Sequence, residues 1–268
     1  EKTYEERWSV GGLPFAATFN DLGIDRKAND TAVDFVHRKI KDIVKDERTA
    51  NKLCPANVFG CKRLCVDSNY YETFNRSNVS LVDIKENPIK NIGRNGLITA
   101  NEEFEFDSLI LATGFDAMTG ALSDISITGR EKQTLAAHWS EGPQNYLGLM
   151  ASGFPNMFTV TGPGSPSVLS NMIVAIEQHV NFITKLLDFM KQTQRKTVET
   201  SPAAETEWVQ QVNDIAAQTL YTSGCNSWYL EANIPGKPRI FMPHIGFPSY
   251  VEKCNEVAAD EYRGFIFS

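Results

Sequence analysis

The stretch Asn57-Val-Phe-Gly-Cys-Lys-Arg63, with Asp67-Ser-Asn-Tyr-Tyr-Glu-Thr-Phe-Asn-Arg76 close behind it, decides how the rest of this chain reads. Two fixed cations, Lys62 and Arg63, stand side by side on what reads as a loop, outside any run of charge, with an aromatic run following. The two side chains differ in chemistry. Lysine is a compact point charge suited to phosphate, whereas arginine is a rigid fork able to hold a spread-out oxyanion. Their adjacency suits two different anionic targets. The residues alone leave open the plainer reading, a pair of surface salt-bridge formers.

On the N-terminal side, residues 29–46 show helical spacing, with Val33, Val36, Ile40, Ile43 and Val44 on one face and Arg38, Lys41 and Lys45 on the other. Asp30 is the expected N-cap, and Pro55 closes the region. With the loop at Gly11-Gly-Leu-Pro14, residues 1–56 read as a helical subdomain or its remnant. On the C-terminal side the period changes. Residues 79–83 read as a short strand, and Asn95-Gly96 as a hairpin turn before 97–106. Leu109-Ile-Leu-Ala112 and Met157-Phe-Thr-Val-Thr161 are apolar enough for strands buried on both faces, the first ending at Thr113-Gly114. A helix is expected over 171–191, capped by Ser170 or Asn171, with Met172, Ile173, Ile176, Val180, Ile183 and Leu187 as its apolar face. A second is expected over 203–220, through Trp208, Val212, Ile215 and Leu220. The tail from Gly224 reads as irregular, with a short helix near 251–262. Strands alternate with helices, so the class is α/β.

Bulk properties exclude several functions. The 268 residues can form one large domain or two small ones, with 42% hydrophobic and 22% charged residues. A net charge of −7 argues against a general nucleic-acid or anionic-membrane binder. No apolar run approaches the roughly 18 residues that cross a bilayer. Cys54, Cys61, Cys65, Cys225 and Cys254 form no zinc or disulfide pattern, and read as free thiols in a cytoplasmic protein without a metal. His37, His138, His179 and His244 share no motif, and no nucleophile elbow, zinc-protease or P-loop sequence is present. Gly162-Pro-Gly164-Ser-Pro-Ser167 imitates a dinucleotide fingerprint. Its third glycine is Ser167, and Pro163 and Pro166 lack the N–H groups a pyrophosphate needs. A bulged loop leading into the next helix fits better.

Several blocks together carry a resemblance: the 57–76 stretch, Ala112-Thr-Gly-Phe115, Gly162-Pro-Gly-Ser-Pro-Ser-Val-Leu-Ser-Asn171, Ser227-Trp-Tyr229 and Ala232-Asn-Ile-Pro-Gly-Lys237. Over nearly its whole length the chain resembles the C-terminal half of a flavin-dependent Baeyer–Villiger monooxygenase of the phenylacetone and cyclohexanone monooxygenase type. The resemblance implies part of a flavoprotein with two Rossmann-like dinucleotide-binding domains. Residues 57–112 would be the second segment of the NADP-binding domain and 113–268 the C-terminal segment of the FAD-binding domain. It implies FAD and NADP(H) as cofactors, and insertion of one oxygen atom of O2 beside a ketone carbonyl to give an ester or lactone.

By the same resemblance, Arg63 is the catalytic arginine that stabilises the flavin peroxide and the tetrahedral adduct, and Lys62 recognises the 2′-phosphate of NADP. Trp228 contacts the nicotinamide nucleotide. Val168 and Leu169 line the ketone pocket. Ser170, Asn171 and Met172 begin the segment that presents backbone groups to the flavin ring, and Thr113 and Gly114 mark the crossing between the two domains. The family's two Gly-rich motifs, the fingerprint between them and the aspartate partner of the arginine are absent from these 268 residues. The chain starts at Glu1 inside a charged stretch, so the expected partner is the missing N-terminal half, without which this piece is expected to be inactive. The alternatives are a non-catalytic fragment lacking flavin and a related flavin monooxygenase that oxidises nitrogen or sulfur. Two departures stand out: Glu231 where family members carry glycine, and His244-Ile-Gly246-Phe-Pro248, which looks shortened.

Overall fold

The computed structural model describes residues 1–223, 225–231, 234–236 and 246–268. His244 and Ile245 of the shortened segment lie outside the described residues, as do Ala232, Asn233 and Lys237. The chain divides into two compact units, Glu1–Gly114 and Phe115–Ser268, and it is mixed α/β. Among the described residues, no helix is long and apolar enough to cross a membrane.

In the first unit, α1 (Lys2–Val10) and α2 (Arg26–Ile43) enclose an aromatic core of Tyr4, Phe15 and Phe35, with Trp8 packed against it. The Phe35 ring lies 5.2 Å from Tyr4 and 5.7 Å from Phe15. Helix α2 starts earlier than expected. Asp25, in extended conformation, accepts a hydrogen bond from the Ala28 amide at 2.7 Å, while Asp30 pairs with Arg26 inside the first turn. Its buried face runs through Asn29, Ala32, Phe35 and Ile40 rather than through Val33 and Val36. The large aromatic side chain sets the rotation, because it removes the most apolar surface from water. A second small core joins Ile40, Val44 and Ala50, the last on α3 (Glu47–Leu53), to Tyr71 and Phe74.

Residues 89–105 form an antiparallel meander of β1 (Ile89–Ile92), β2 (Gly96–Thr99) and β3 (Glu103–Glu105). The Asn95-Gly96 turn falls where the sequence places it, with Ile92 opposite Leu97. Only glycine fits at 96, since a Cβ there would stand 1.8 Å from the Phe104 carbonyl oxygen. Two expected strands do not form: residues 79–83 and 109–112 lie outside any strand. An apolar run becomes a doubly buried strand only where a sheet lies beside it. Here Ile110 and Leu111 are 87% and 70% exposed.

The second unit is built on α4 (Met172–Gln192), β4 (Val198–Thr200), α5 (Pro202–Ala217), α6 (Phe247–Ala259) and β5 (Phe265–Phe267). Strands β4 and β5 pair antiparallel, Val198 opposite Phe267, and are too short to leave a period in the sequence. The core gathers Leu147, Met150, Leu186, Trp208, Tyr250 and Cys254 among others. The expected strand at 157–161 is irregular, its Thr159 amide donating to the Leu149 carbonyl at 2.8 Å. Helix α4 has the expected span and Asn171 cap, but its buried face lies about a quarter turn round from the expected one, through Ala175, His179, Phe182, Leu186 and Met190, with Ile183 packed at its edge. Ile173, Val180 and Leu187, expected inside, are 65%, 48% and 48% exposed. Both faces are apolar, and Phe182 decides between them by meeting Tyr262 and Phe265.

Cys54, Cys65 and Cys254 are free thiols, as expected.

His179 is fully buried. Its Nδ1 accepts from the Thr161 amide at 2.8 Å, and its Nε2 lies 2.8 Å from the Tyr250 hydroxyl, which donates to the Leu147 carbonyl at 2.6 Å. Burial lowers its pKa from 6.5 to about 4. A depressed base favours the fold in its neutral form, so this contribution is complete above about pH 6.5 and is lost as pH falls toward about 4. Urea unfolding of the protein should lose up to about 3 kcal/mol from this group across that window, at about 1.4 kcal/mol per pKa unit. A His179→Asn variant should show a flatter profile over the same range.

Candidate functional site

The first cluster is built from a buried amide. Asn29 is 0% exposed. Its Nδ2 donates to the Leu22 carbonyl at 2.8 Å and the Phe59 carbonyl at 3.0 Å, and its Oδ1 accepts from the Phe59 amide at 2.9 Å. One side chain thus fastens the 57–61 loop to the first turn of α2. Gly60 turns that loop with φ of 84°, and the chain leaves it at Lys62 and Arg63, both exposed. Both cations line a cavity of about 740 Å³ whose walls include Trp8, Phe15, His37 and Tyr71. Downstream, Asp67 accepts from the Tyr70 amide at 2.9 Å and starts the short aromatic helical turn Tyr70–Thr73. Cationic side chains beside aromatic walls form a donor set that fits a phosphorylated nucleotide. Thr113 and Gly114 end this unit; both are exposed, and a Cβ on Gly114 would meet nothing within 4 Å.

The second cluster lies wholly in the other unit. The turn Ser167–Leu169, which contains Val168, leads into the start of α4. The Ser170 hydroxyl donates to the Ser167 carbonyl at 3.0 Å, and Asn171 Oδ1 accepts from the amides of Ile173 at 3.0 Å and Val174 at 3.4 Å. The first turn of α4 therefore carries its cap while Met172, Ile173 and Val174 face outward, 37%, 65% and 45% exposed. Leu169 and Trp228 pack into one cluster with Met118, Tyr229 and Leu230. Beside it Glu231, in left-handed conformation at φ 51° and 3% exposed, accepts from the Thr119 hydroxyl.

The structure thus brings Lys62 and Arg63 onto one cavity, Ser170, Asn171 and Met172 onto one helix start, and Leu169 with Trp228 into one packed group. An exposed apolar helix start fits a flat aromatic ring. The 162–167 loop offers no pyrophosphate cradle, because Pro163 and Pro166 supply no N–H. The flavin ring fits these residues, and its phosphates do not.

Three buried polar groups give no motif in the sequence: Asn29, His179 and Glu205. Glu205, 4% exposed, accepts from the Ser152 amide at 2.8 Å and the Ser152 hydroxyl at 2.9 Å, with His138 Nε2 at 3.2 Å. The one available signal was a single polar residue set within an apolar helical face. Among the described residues no cluster of acidic, His or Cys side chains could hold a metal ion.

No protein-family model matches the chain. It is 40% identical to phenazine N-monooxygenase of Lysobacter antibioticus over 99% of this chain and 49% of that protein. It is 37% identical to a Baeyer–Villiger monooxygenase of Pseudooceanicola batsensis over 99% of this chain and 49% of that protein. Among solved structures, cyclohexanone monooxygenase from Rhodococcus sp. Phi1 bound to NADP+ superposes with a TM-score of 0.95 at 39% identity, over 100% of this chain and 50% of the other. OTEMO in complex with FAD and NADP gives 0.89 at 38% identity, over 93% and 46%. These likenesses run over nearly the whole chain, to monooxygenases whose solved structures hold NADP+ or FAD and NADP. More narrowly, the chain belongs to the Baeyer–Villiger monooxygenase family and spans about half the length of the curated relatives it matches.

Replacing Asn29 with alanine strands the Phe59 amide and two carbonyls. That should cost about 3 kcal/mol, since each unsatisfied buried group costs roughly 1–3 kcal/mol. Hydrogen exchange should accelerate across residues 57–63 before it does so in α4.

Proposed function

We propose that this chain is the C-terminal part of an NADPH- and FAD-dependent Baeyer–Villiger monooxygenase that converts ketones to esters or lactones. The observation that carries the reading is the Lys62–Arg63 pair on an aromatic-walled cavity, held by Asn29. Likeness to ketone-oxidising and FAD- and NADP-bound relatives over the whole chain supports it. Residues 57–112 belong in this reading to the NADP-binding domain and 113–268 to the FAD-binding domain, with the whole enzyme working in the cytoplasm. The bound flavin, once reduced by NADPH, supplies the oxygen atom from O2.

The chain's own residues take separable tasks. Arg63 holds negative charge as it develops on oxygen, where a fixed cation in a site shielded from water contributes a few kcal/mol. Lys62 holds the 2′-phosphate of NADPH as a point charge. Met172, with Ser170 and Asn171 fixing the helix start, covers one face of the flavin ring. Val168, Leu169 and Trp228 enclose the ketone and the nicotinamide, and Thr113 with Gly114 carries the chain between domains. The missing N-terminal half completes the site, and the chain alone is inactive and colourless on purification.

A second reading has one observation in its favour: the relative that is 40% identical is an N-monooxygenase. Intact enzyme offered cyclohexanone, a thioether and an N-heteroaromatic in parallel separates the two, with the ester as the expected product. Exclusive heteroatom oxidation would overturn the ketone reading. In the intact enzyme Arg63→Ala should leave NADPH oxidation running while lowering oxygenated product at least 100-fold, about 2.7 kcal/mol. Lys62→Ala should raise KM for NADPH at least tenfold with kcat little changed, and the preference over NADH should shrink in step.

A further inference from the structure

We propose that His179 is a positioning residue for the start of α4, gripping the Thr161 amide and through it the turn that carries the chain into residues 162–172. The tautomer follows from the hydrogen bonds. The Tyr250 hydroxyl has one proton and spends it on the Leu147 carbonyl at 2.6 Å, so Nε2 of His179 donates to Tyr250 across 2.8 Å. Nδ1 is then the lone-pair acceptor for the Thr161 N–H at 2.8 Å. Thr161 needs that grip. It is β-branched and sits at φ 53°, a region such residues rarely adopt.

The neighbouring turn is held by other groups. The Thr159 amide donates to Leu149, the Trp208 indole to the Gly164 carbonyl at 2.9 Å, and the Ser165 hydroxyl to the Gly162 carbonyl at 2.8 Å. Thr161 and Ser167 are the two non-glycine residues of this segment at positive φ; His179 secures the first, and it does so from the helix whose first turn presents Met172. Bond and helix close a clip from 161 to 179 around residues 162–171.

The clip works in one protonation state. A proton on Nδ1 would set an N–H against the Thr161 N–H. The titratable group that meets the imidazole is Tyr250 of α6, and Cys254, one turn further along α6, lies in the same buried core. Burial pushes Tyr250 well above 10 and Cys254 up to about 11, so neither offers a negative charge to a protonated imidazole near neutral pH.

The role rests on the proposed oxygenation, and the test separates the two. Three variants are made in the intact enzyme. His179→Asn keeps an acceptor near Nδ1, His179→Gln keeps a donor near Nε2, and Tyr250→Phe removes the hydroxyl while leaving the Thr161 grip. Exchange of the Thr161 amide is followed by NMR, and oxygenated product per NADPH consumed is measured from pH 5 to 8. His179→Gln and Tyr250→Phe should both lower the melting temperature. Only His179→Gln should speed Thr161 exchange, at least tenfold, and lower the product ratio at least fivefold with a change in the visible flavin spectrum. His179→Asn should track wild type in exchange and ratio. Equal effects of His179→Gln and Tyr250→Phe on Thr161 exchange would overturn the positioning role. Absence of oxygenated product in wild type would instead overturn the ketone reading, leaving the exchange result to decide the role of His179.

Discussion

Burial of one face of α4 is the constraint on which the second unit rests. Phe182, Leu186 and Met190 enter the same core as Val198, Trp208, Tyr250 and Tyr262, and strands β4 and β5 close it. Full burial of a large apolar side chain is worth roughly 1.5–3 kcal/mol relative to leaving it exposed. A rotation of α4 that withdrew this face would therefore forfeit several such contributions at once. The cap geometry at Asn171 and the outward display of Met172, Ile173 and Val174 are consequences of that rotation. Packing about three to five turns away aims the helix start, and so decides which residues it displays.

That dependence explains what was legible in the sequence. The existence, span and cap of α4 could be read, because helical spacing and an Asn at its head are local signals. The buried face could not. Ile173, Val180 and Leu187 are as apolar as Phe182 and Leu186, and periodicity alone does not say which stripe meets a partner. The same limit undid the strands at 109–112 and 157–161. An apolar run marks a segment fit for burial, but a strand exists only when a neighbouring backbone takes its hydrogen bonds. By contrast, the turn at Asn95-Gly96 was legible, since turn chemistry is local, while the strand before it and the division of 97–106 between β2 and β3 were not.

The candidate site divides in the same way. Lys62 and Arg63 could be singled out from their adjacency, and the longer motif supplied their roles. Asn29, which holds their loop, left only the signal of a polar residue within an apolar helical face, because its partners Leu22 and Phe59 lie seven and thirty residues away. Glu205 and His179 are alike in this. A buried polar side chain is tolerable only when its hydrogen bonds are met, and those partners come from the fold, not from the surrounding sequence. The supporting groups of a site are thus the part sequence conceals best.

Glu231 shows how a local departure can be absorbed. It closes the short turn Trp228–Leu230 in left-handed conformation, where glycine costs nothing and other residues about 1–2 kcal/mol. The glycine that resembling sequences carry at this place is thereby explained as a backbone requirement. Here the strain is met by a contact glycine cannot make, the buried carboxylate accepting from the Thr119 hydroxyl. A buried hydrogen bond contributes roughly 0.5–1.5 kcal/mol net, of the same order as the conformational cost. The substitution also ties Thr119, 112 residues earlier, to the turn that carries Trp228. The position of the indole therefore depends in this chain on a polar pair as well as on apolar packing.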